Sequence, residues 1–197
     1  MSEFFGKAGT KFAESGKMLS KPQNLTVSAM LLALAVVFKY FENMGMAFLG
    51  TNLIKIGFSV FPIAVAGMLY GPIVSGIVGG LTDVLGYIIA PQGGAYVPCF
   101  TISMILLGMI YGISFYKEKI GLKRLIITEL IITIFINIIL GVTWFVLFFG
   151  MPLEKALSIR GIKEFFDLPL TVFINYMLYK VIVKIPEVKH ILKKSKA

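Results

Sequence analysis

The sequence predicts an all-α membrane protein with six transmembrane helices and both termini in the cytoplasm. Hydrophobic residues make up 57% of its 197 positions and charged residues only 15%, with a mean hydropathy of +0.88. That mix is far from an ordinary soluble domain. Apolar stretches recur at 25–41, 53–69, 72–90, 99–116, 125–149 and about 165–185, each near the roughly 20 residues that carry a helix across a bilayer. A membrane β-barrel would need polar and apolar residues to alternate along each strand, which these continuous runs do not do.

The connections are short, so one polytopic domain uses residues 25–186, between an N-terminal segment at 1–24 and a basic tail at 187–197. The first segment lacks the apolar core of a secretory signal. Phe5, Ala8 and Phe12 fall at helical spacing with Lys7, Lys11 and Lys17 elsewhere, which suits either a short helix on an anionic leaflet or a disordered tail. The single Cys99 excludes an intrachain disulfide framework.

Charge sets the expected orientation. Fourteen of the 19 Lys and Arg precede the first span, separate spans four and five, or end and follow span six. Positive flanks are retained inside, so an even number of crossings leaves both termini cytoplasmic. The net charge of +9 is spread over three short flanks, which argues against nucleic acid as a partner. The other five cations, Lys39, Lys55, Lys155, Arg160 and Lys163, fall near outer span ends or outer loops. They can snorkel to lipid headgroups or pair with nearby acids, and together they would draw an anionic solute to the outer face.

Within "LTDVLGYIIAPQGGAYVPCF", residues 81–100, Asp83 lies about 10 Å below the outer end of span three at 1.5 Å per residue. An acid at that depth marks a functional site by default. Asn137 of span five and Asn175 of span six sit near the middles of their expected spans. With Asp83 they can share one outward-facing interior able to read a heterocycle's donors and acceptors; each Asn also suits an interhelical hydrogen bond. The loop "APQGGAYVP" would roof that cavity, its Gly93-Gly94 pair allowing close backbone approach. Tyr96, Phe100, Trp144, Phe148 and Phe165 offer surfaces for stacking or form an interfacial aromatic belt.

No enzyme is predicted. The lone His190 falls in the tail, no phosphate-binding loop occurs, and no histidine or thiolate metal centre can be assembled. Small residues spaced by four recur at Ala29 and Ala33, Gly67 and Gly71, Gly76 and Gly80, and Gly108 and Gly112. Such pairs permit close helix approach within the bundle or against a partner.

The stretch from Lys55 to Gly112 resembles the substrate-binding S components of energy-coupling factor (ECF) vitamin transporters, most closely their folate-specific branch. The resemblance rests on Lys-Ile-Gly-Phe at 55–58 with Pro62, Tyr-Gly-Pro at 70–72, Asp83-x-x-Gly86, the Gly-Gly-x-Tyr loop and Phe-Thr-x-Ser at 100–103. Cys99 departs from the pattern, standing where Gly is expected before Phe-Thr. The resemblance implies a subunit of the prokaryotic cell membrane, without cofactor, that captures a vitamin outside. It would dock through Ala29 and Ala33 on a transmembrane coupling protein with two ATPase subunits, and topple to release its cargo inside. For folate, the implied contacts are Asp83 and Asn175 to the pterin edge, Tyr96, Phe100 and Trp144 for stacking, Gly94 in the roof, and Lys55 and Arg160 for the glutamate tail. Riboflavin, pantothenate or a queuosine precursor are alternative ligands on the same scaffold, and a membrane assembly protein without a ligand is the alternative of another class.

Overall fold

A computed structural model describes residues 2–49, 57–91, 96–118, 120–182 and 184, with side chains described from residue 9 and, in the first long helix, as far as residue 43. Lys55, Gly94 and the tail at 187–197 lie outside the described residues. The described chain is helical throughout: α1 (Ser2–Met18), α2 (Pro22–Leu49), α3 (Val60–Tyr70), α4 (Pro72–Ile89), α5 (Pro98–Phe115), α6 (Leu122–Phe149) and α7 (Leu153–Ile182). Five of these, α2 and α4 to α7, are long and apolar enough to cross a bilayer, whereas α3 has only 11 described residues. Six crossings were expected; the described residues supply five helices of spanning length and this shorter one.

Packing follows the small residues. A side chain on Gly112 would come within 2.3 Å of the Pro72 backbone, and one on Gly108 within 2.3 Å of the Ser75 carbonyl. Gly79 likewise faces the Met104 carbonyl at 2.4 Å, and Gly67 abuts the backbone of Gly112. The glycine spacing read from the sequence therefore joins α3, α4 and α5 within the bundle, where backbone contact replaces the hydrophobic drive that lipid cannot supply. Between α3 and α4 the chain reverses at Gly71, whose φ of 87° is a conformation open chiefly to glycine, and Pro72 starts α4 with its preset φ. The α3 helix is apolar on every side and almost wholly buried, as expected of an all-round hydrophobic core helix.

The other helices turn apolar faces outward. Met30, Leu34, Val37 and Phe41 of α2, Ile134 and Phe135 of α6, and Phe166 and Phe173 of α7 are exposed, and lipid is the solvent that tolerates them. In α6 the backbone widens into a π-helical stretch over Ile132–Leu140, a geometry that is rare and concentrated at functional sites.

Two segments differ from the sequence reading. Lys155, Arg160 and Lys163, placed in a connection, lie on α7, which begins at Leu153 directly after Pro152 and carries Glu154 in its first turn. Apart from Gly161, residues 153–164 are mostly good or moderate helix formers such as Leu153, Glu154, Lys155, Ala156, Leu157 and Arg160, so the helix that starts after Pro152 runs through them, and it continues past Pro169 in its interior. The N-terminal segment forms helix α1, and α1 packs on the bundle. Ser15, fully buried, donates to the Tyr70 carbonyl at 2.7 Å and accepts the N–H groups of Ile73 and Val74 at 3.0 and 3.3 Å. It thus caps the end of α3 and the start of α4 from outside both helices. Lys11 donates to the Ile113 carbonyl and to Glu118, Arg124 pairs with Glu118, and Lys117 pairs with Glu14. Partial burial pushes the Glu118 carboxyl up, but Lys11 and Arg124 outweigh it and hold the group below the usual carboxylate range. These contacts gather α1, the α3–α4 turn and the α5–α6 connection at one end of the bundle.

Candidate binding site

The opposite end is organised by the first turns of α5. Thr101 donates to Asp83 of α4 at 2.7 Å. Its single hydroxyl proton is spent there, so the Tyr96 hydroxyl that meets Thr101 is the donor, and a relay runs from Tyr96 through Thr101 to the acid. Lys39 of α2 stands 3.9 Å from Asp83 and 4.0 Å from Glu42, one cation shared by two carboxylates. Its stem crosses α4 at Gly86, where a side chain would lie 2.5 Å from Lys39 Cγ. The Asp83-x-x-Gly86 step thereby has a physical reason: residues three apart share a helix face, one holding the ammonium and the other making room for its stem. Glu42 also accepts the backbone N–H and hydroxyl of Ser59, tying α2 to the start of α3. Tyr87 and Tyr96 bring their rings to 5.2 Å.

On its other side, α5 meets α6 and α7. Phe100 packs against Phe145 and Phe149 at 5.9 and 6.4 Å, and Trp144 donates its indole N–H to Ser103 at 2.9 Å. The Arg160 guanidinium lies 4.7 Å over the Phe145 ring, against Gly141. Flat aromatic surface, a cation and a carboxylate thus converge on one end: Asp83, Tyr96, Phe100, Trp144 and Arg160 of the expected residues stand there. The Phe148 ring packs against Trp144 at a tilt of 56°, with centroids 6.2 Å apart. Phe165 is exposed beside Phe166.

Asn175 and Asn137 are placed elsewhere. Asn175 donates to Glu129 of α6 at 2.7 Å, and the Tyr111 hydroxyl faces both oxygens of that carboxylate at 2.9 and 3.0 Å. Tyr111 is ten residues beyond Thr101 on α5, about 15 Å along a helix rising 1.5 Å per residue. The shared interior of Asp83, Asn137 and Asn175 is therefore not formed. Because α7 starts earlier than the apolar run suggested, Asn175 falls in its far half. Asn137, on the π-helical stretch, donates to Glu164 at 2.9 Å. Lys163 stands 3.6 Å from Glu164 and 3.2 Å from Asp167.

Sequence reasoning missed Glu164 and the partners of Glu129. From the sequence Glu164 is only one of the nearby acids with which the outer cations can pair. A usable signal was its helical phase: Arg160 and Glu164, four apart, share one face, which the structure turns toward α6.

The fold and these sites define a multi-pass helical membrane protein with a polar, aromatic-lined end. Residues 23–185 match the family described as the ECF transporter, substrate-specific component, and the chain belongs to that family. It is 32% identical over 178 residues to the folate transporter FolT of Clostridium novyi (strain NT), covering 90% of this chain and all of that one. FolT of Leuconostoc mesenteroides is 26% identical over 156 residues, covering 76% and 80% of the two chains. Among solved structures, a crystal structure of FolT bound with folic acid superposes with a TM-score of 0.69 at 33% identity, over 80% of this chain and 93% of the other.

Proposed function

We propose that this chain is the folate-capturing S component of an ECF importer. The observation that carries this is the likeness in sequence and shape to FolT bound with folic acid, joined to a chain end that offers what folate requires. The pterin and benzoyl rings meet Tyr96, Phe100 and Trp144, and the tail carboxylates meet Arg160 and Lys55. Gly94, outside the described residues, is assigned to the roofing loop from the sequence alone. Asp83 acts by setting Lys39 and Tyr96 as well as by its own charge. Asn175 acts from deeper in the bundle, through Glu129.

In this reading six crossings leave both termini and α1 in the cytoplasm of a prokaryotic cell, and the Asp83 end faces outward. The protein binds and moves its ligand without catalysis or cofactor. Ala29 and Ala33 are exposed on α2 beside Met30 and Leu34, a face of small and apolar residues suited to a transmembrane coupling protein carried by two ATPase subunits.

The deciding experiment is calorimetry on the purified protein in detergent, with folate, riboflavin, pantothenate and a queuosine precursor. Stoichiometric binding of folate alone, without nucleotide, is the expected result. Preference for another vitamin would reassign the ligand, and binding of none would favour a membrane assembly role.

A further inference from the structure

Between α6 and α7 lies a groove of about 490 Å³, lined by Thr133, Ile138, Gly161, Glu164, Phe165 and Pro169 among others. That volume suits a small-molecule site. The Glu164 side chain in its wall is 4% exposed. One of its oxygens accepts from Asn137, whereas Oε1 is buried with no hydrogen-bond partner. Lys163, at 3.6 Å, pairs with Oε1 in charge but stands beyond hydrogen-bonding distance.

This carboxylate is 11 residues into a helix of 30 residues, about 16 Å from its start. A buried carboxylate with a vacant acceptor inside a membrane span is costly and marks a ligand path. Asn137 sits in the middle of the π-helical stretch of α6, where a widened turn departs from ordinary helix geometry and carries the amide that orients Glu164.

We infer that Glu164, oriented by Asn137, is the residue that reads the N–H edge of the ligand's heterocycle. The inference rests on the proposed function and names a recognition element within it. A 2-amino-4-oxopyrimidine presents two neighbouring N–H donors, the fork that a carboxylate accepts in parallel, as it does from guanidinium. Arg160 lies one turn from Glu164 toward the start of α7, so a ligand with its ring at Glu164 directs its anionic tail toward that cation.

The test compares folate with pteroate, which lacks the glutamate tail, on the wild type and on Glu164→Gln and Gly161→Leu. Glu164→Gln keeps the shape and the Asn137 contact but loses the charge; its affinity should fall at least tenfold, and by the same factor for both compounds. Gly161→Leu fills the groove from a position where an added Cβ meets nothing within 4 Å, so the fold should stand while binding falls at least tenfold. Thermal unfolding of each variant establishes that it is folded, and the leucine variant decides the matter if the glutamine variant is not. Wild-type folate binding with both folded variants within twofold of it overturns the inference alone, and is what a groove holding only a lipid chain would give. A loss seen for folate but absent for pteroate moves Glu164 to the tail and also overturns it. Failure of the wild type to bind folate at all overturns the proposed function itself.

Discussion

Lys39 and Asp83 meet across the contact of α2 and α4, Nζ standing 3.9 Å from Oδ1, with Glu42 at 4.0 Å on the other side of the same ammonium. All three side chains are mostly buried, so the cation holds two acids that water solvates only in part. Lys39→Met should destabilise the protein by about 1–3 kcal/mol, below the cost of breaking a fully buried pair because some solvent reaches the group. Adding Asp83→Asn should recover part of that loss, since contacting residues couple. Thermal unfolding of the two single variants and the double variant checks this; strictly additive losses would show that the pair does not interact.

Much of the fold was legible in the sequence because its causes are local. Mean hydropathy and run length marked the long helices, and glycine spacing marked the α3, α4 and α5 contacts. Pro72 and Pro98 stand at helix starts where fixed φ places them. What could not be read depends on helix rotation and depth. Asp83 was recognised as important, but Lys39 as its partner required knowing that Gly86 leaves a channel for a lysine stem. Asn175 was assigned a depth from an apolar run that begins about twelve residues after its helix does, and that error separated it from Glu129. The role of α1 was invisible because Ser15 caps helices more than 50 residues away, a relationship that no spacing within the N-terminal segment reveals.

Ser15 ties α1 to the α3–α4 turn by three hydrogen bonds, and its loss should be felt in the bundle. Ser15→Ala removes an acceptor from two backbone N–H groups at the start of α4 and a donor to the Tyr70 carbonyl. Loss of a helix cap costs about 1–2 kcal/mol, and these groups are buried away from water. The variant should unfold at lower temperature, and its α1 should be cleaved faster by protease. Unchanged melting together with unchanged cleavage would mean that water replaces the hydroxyl without loss.

The ion pairs around Glu118 make the seat of α1 dependent on pH. The Glu118 carboxyl is held below its ordinary value of 4.5. A depressed folded-state value means that the stabilisation is complete above the unfolded value and disappears as pH falls through the folded one. The seat should therefore be insensitive to pH near neutrality and loosen at pH values below 4.5. A spin label at Gly9, where an added side chain meets open space, placed in a Cys99→Ala background, reports this as increased mobility. In Glu118→Gln the label should already be mobile near neutrality. Identical pH curves for the two proteins would assign the acid response to other carboxylates.

Binding and transport should separate at Ala29 and Ala33. Both are exposed on α2, and both precede by at least six residues the Lys39 that joins the Asp83 end, so a bulky group there touches none of the groups assigned to folate. Close approach of a second helix needs small side chains at such positions, because lipid provides no hydrophobic drive to compensate for a gap. Replacing either alanine by Trp should leave folate affinity within about twofold of the wild type while ATP-dependent uptake in vesicles containing the energising module falls at least tenfold, a loss of about 1.4 kcal/mol in effective docking. Calorimetry in detergent and uptake in vesicles, on the same preparations, measure the two separately. Normal uptake by well-expressed Trp variants would show that the partner approaches another face. Loss of binding together with uptake would show that α2 transmits strain from this face to the site.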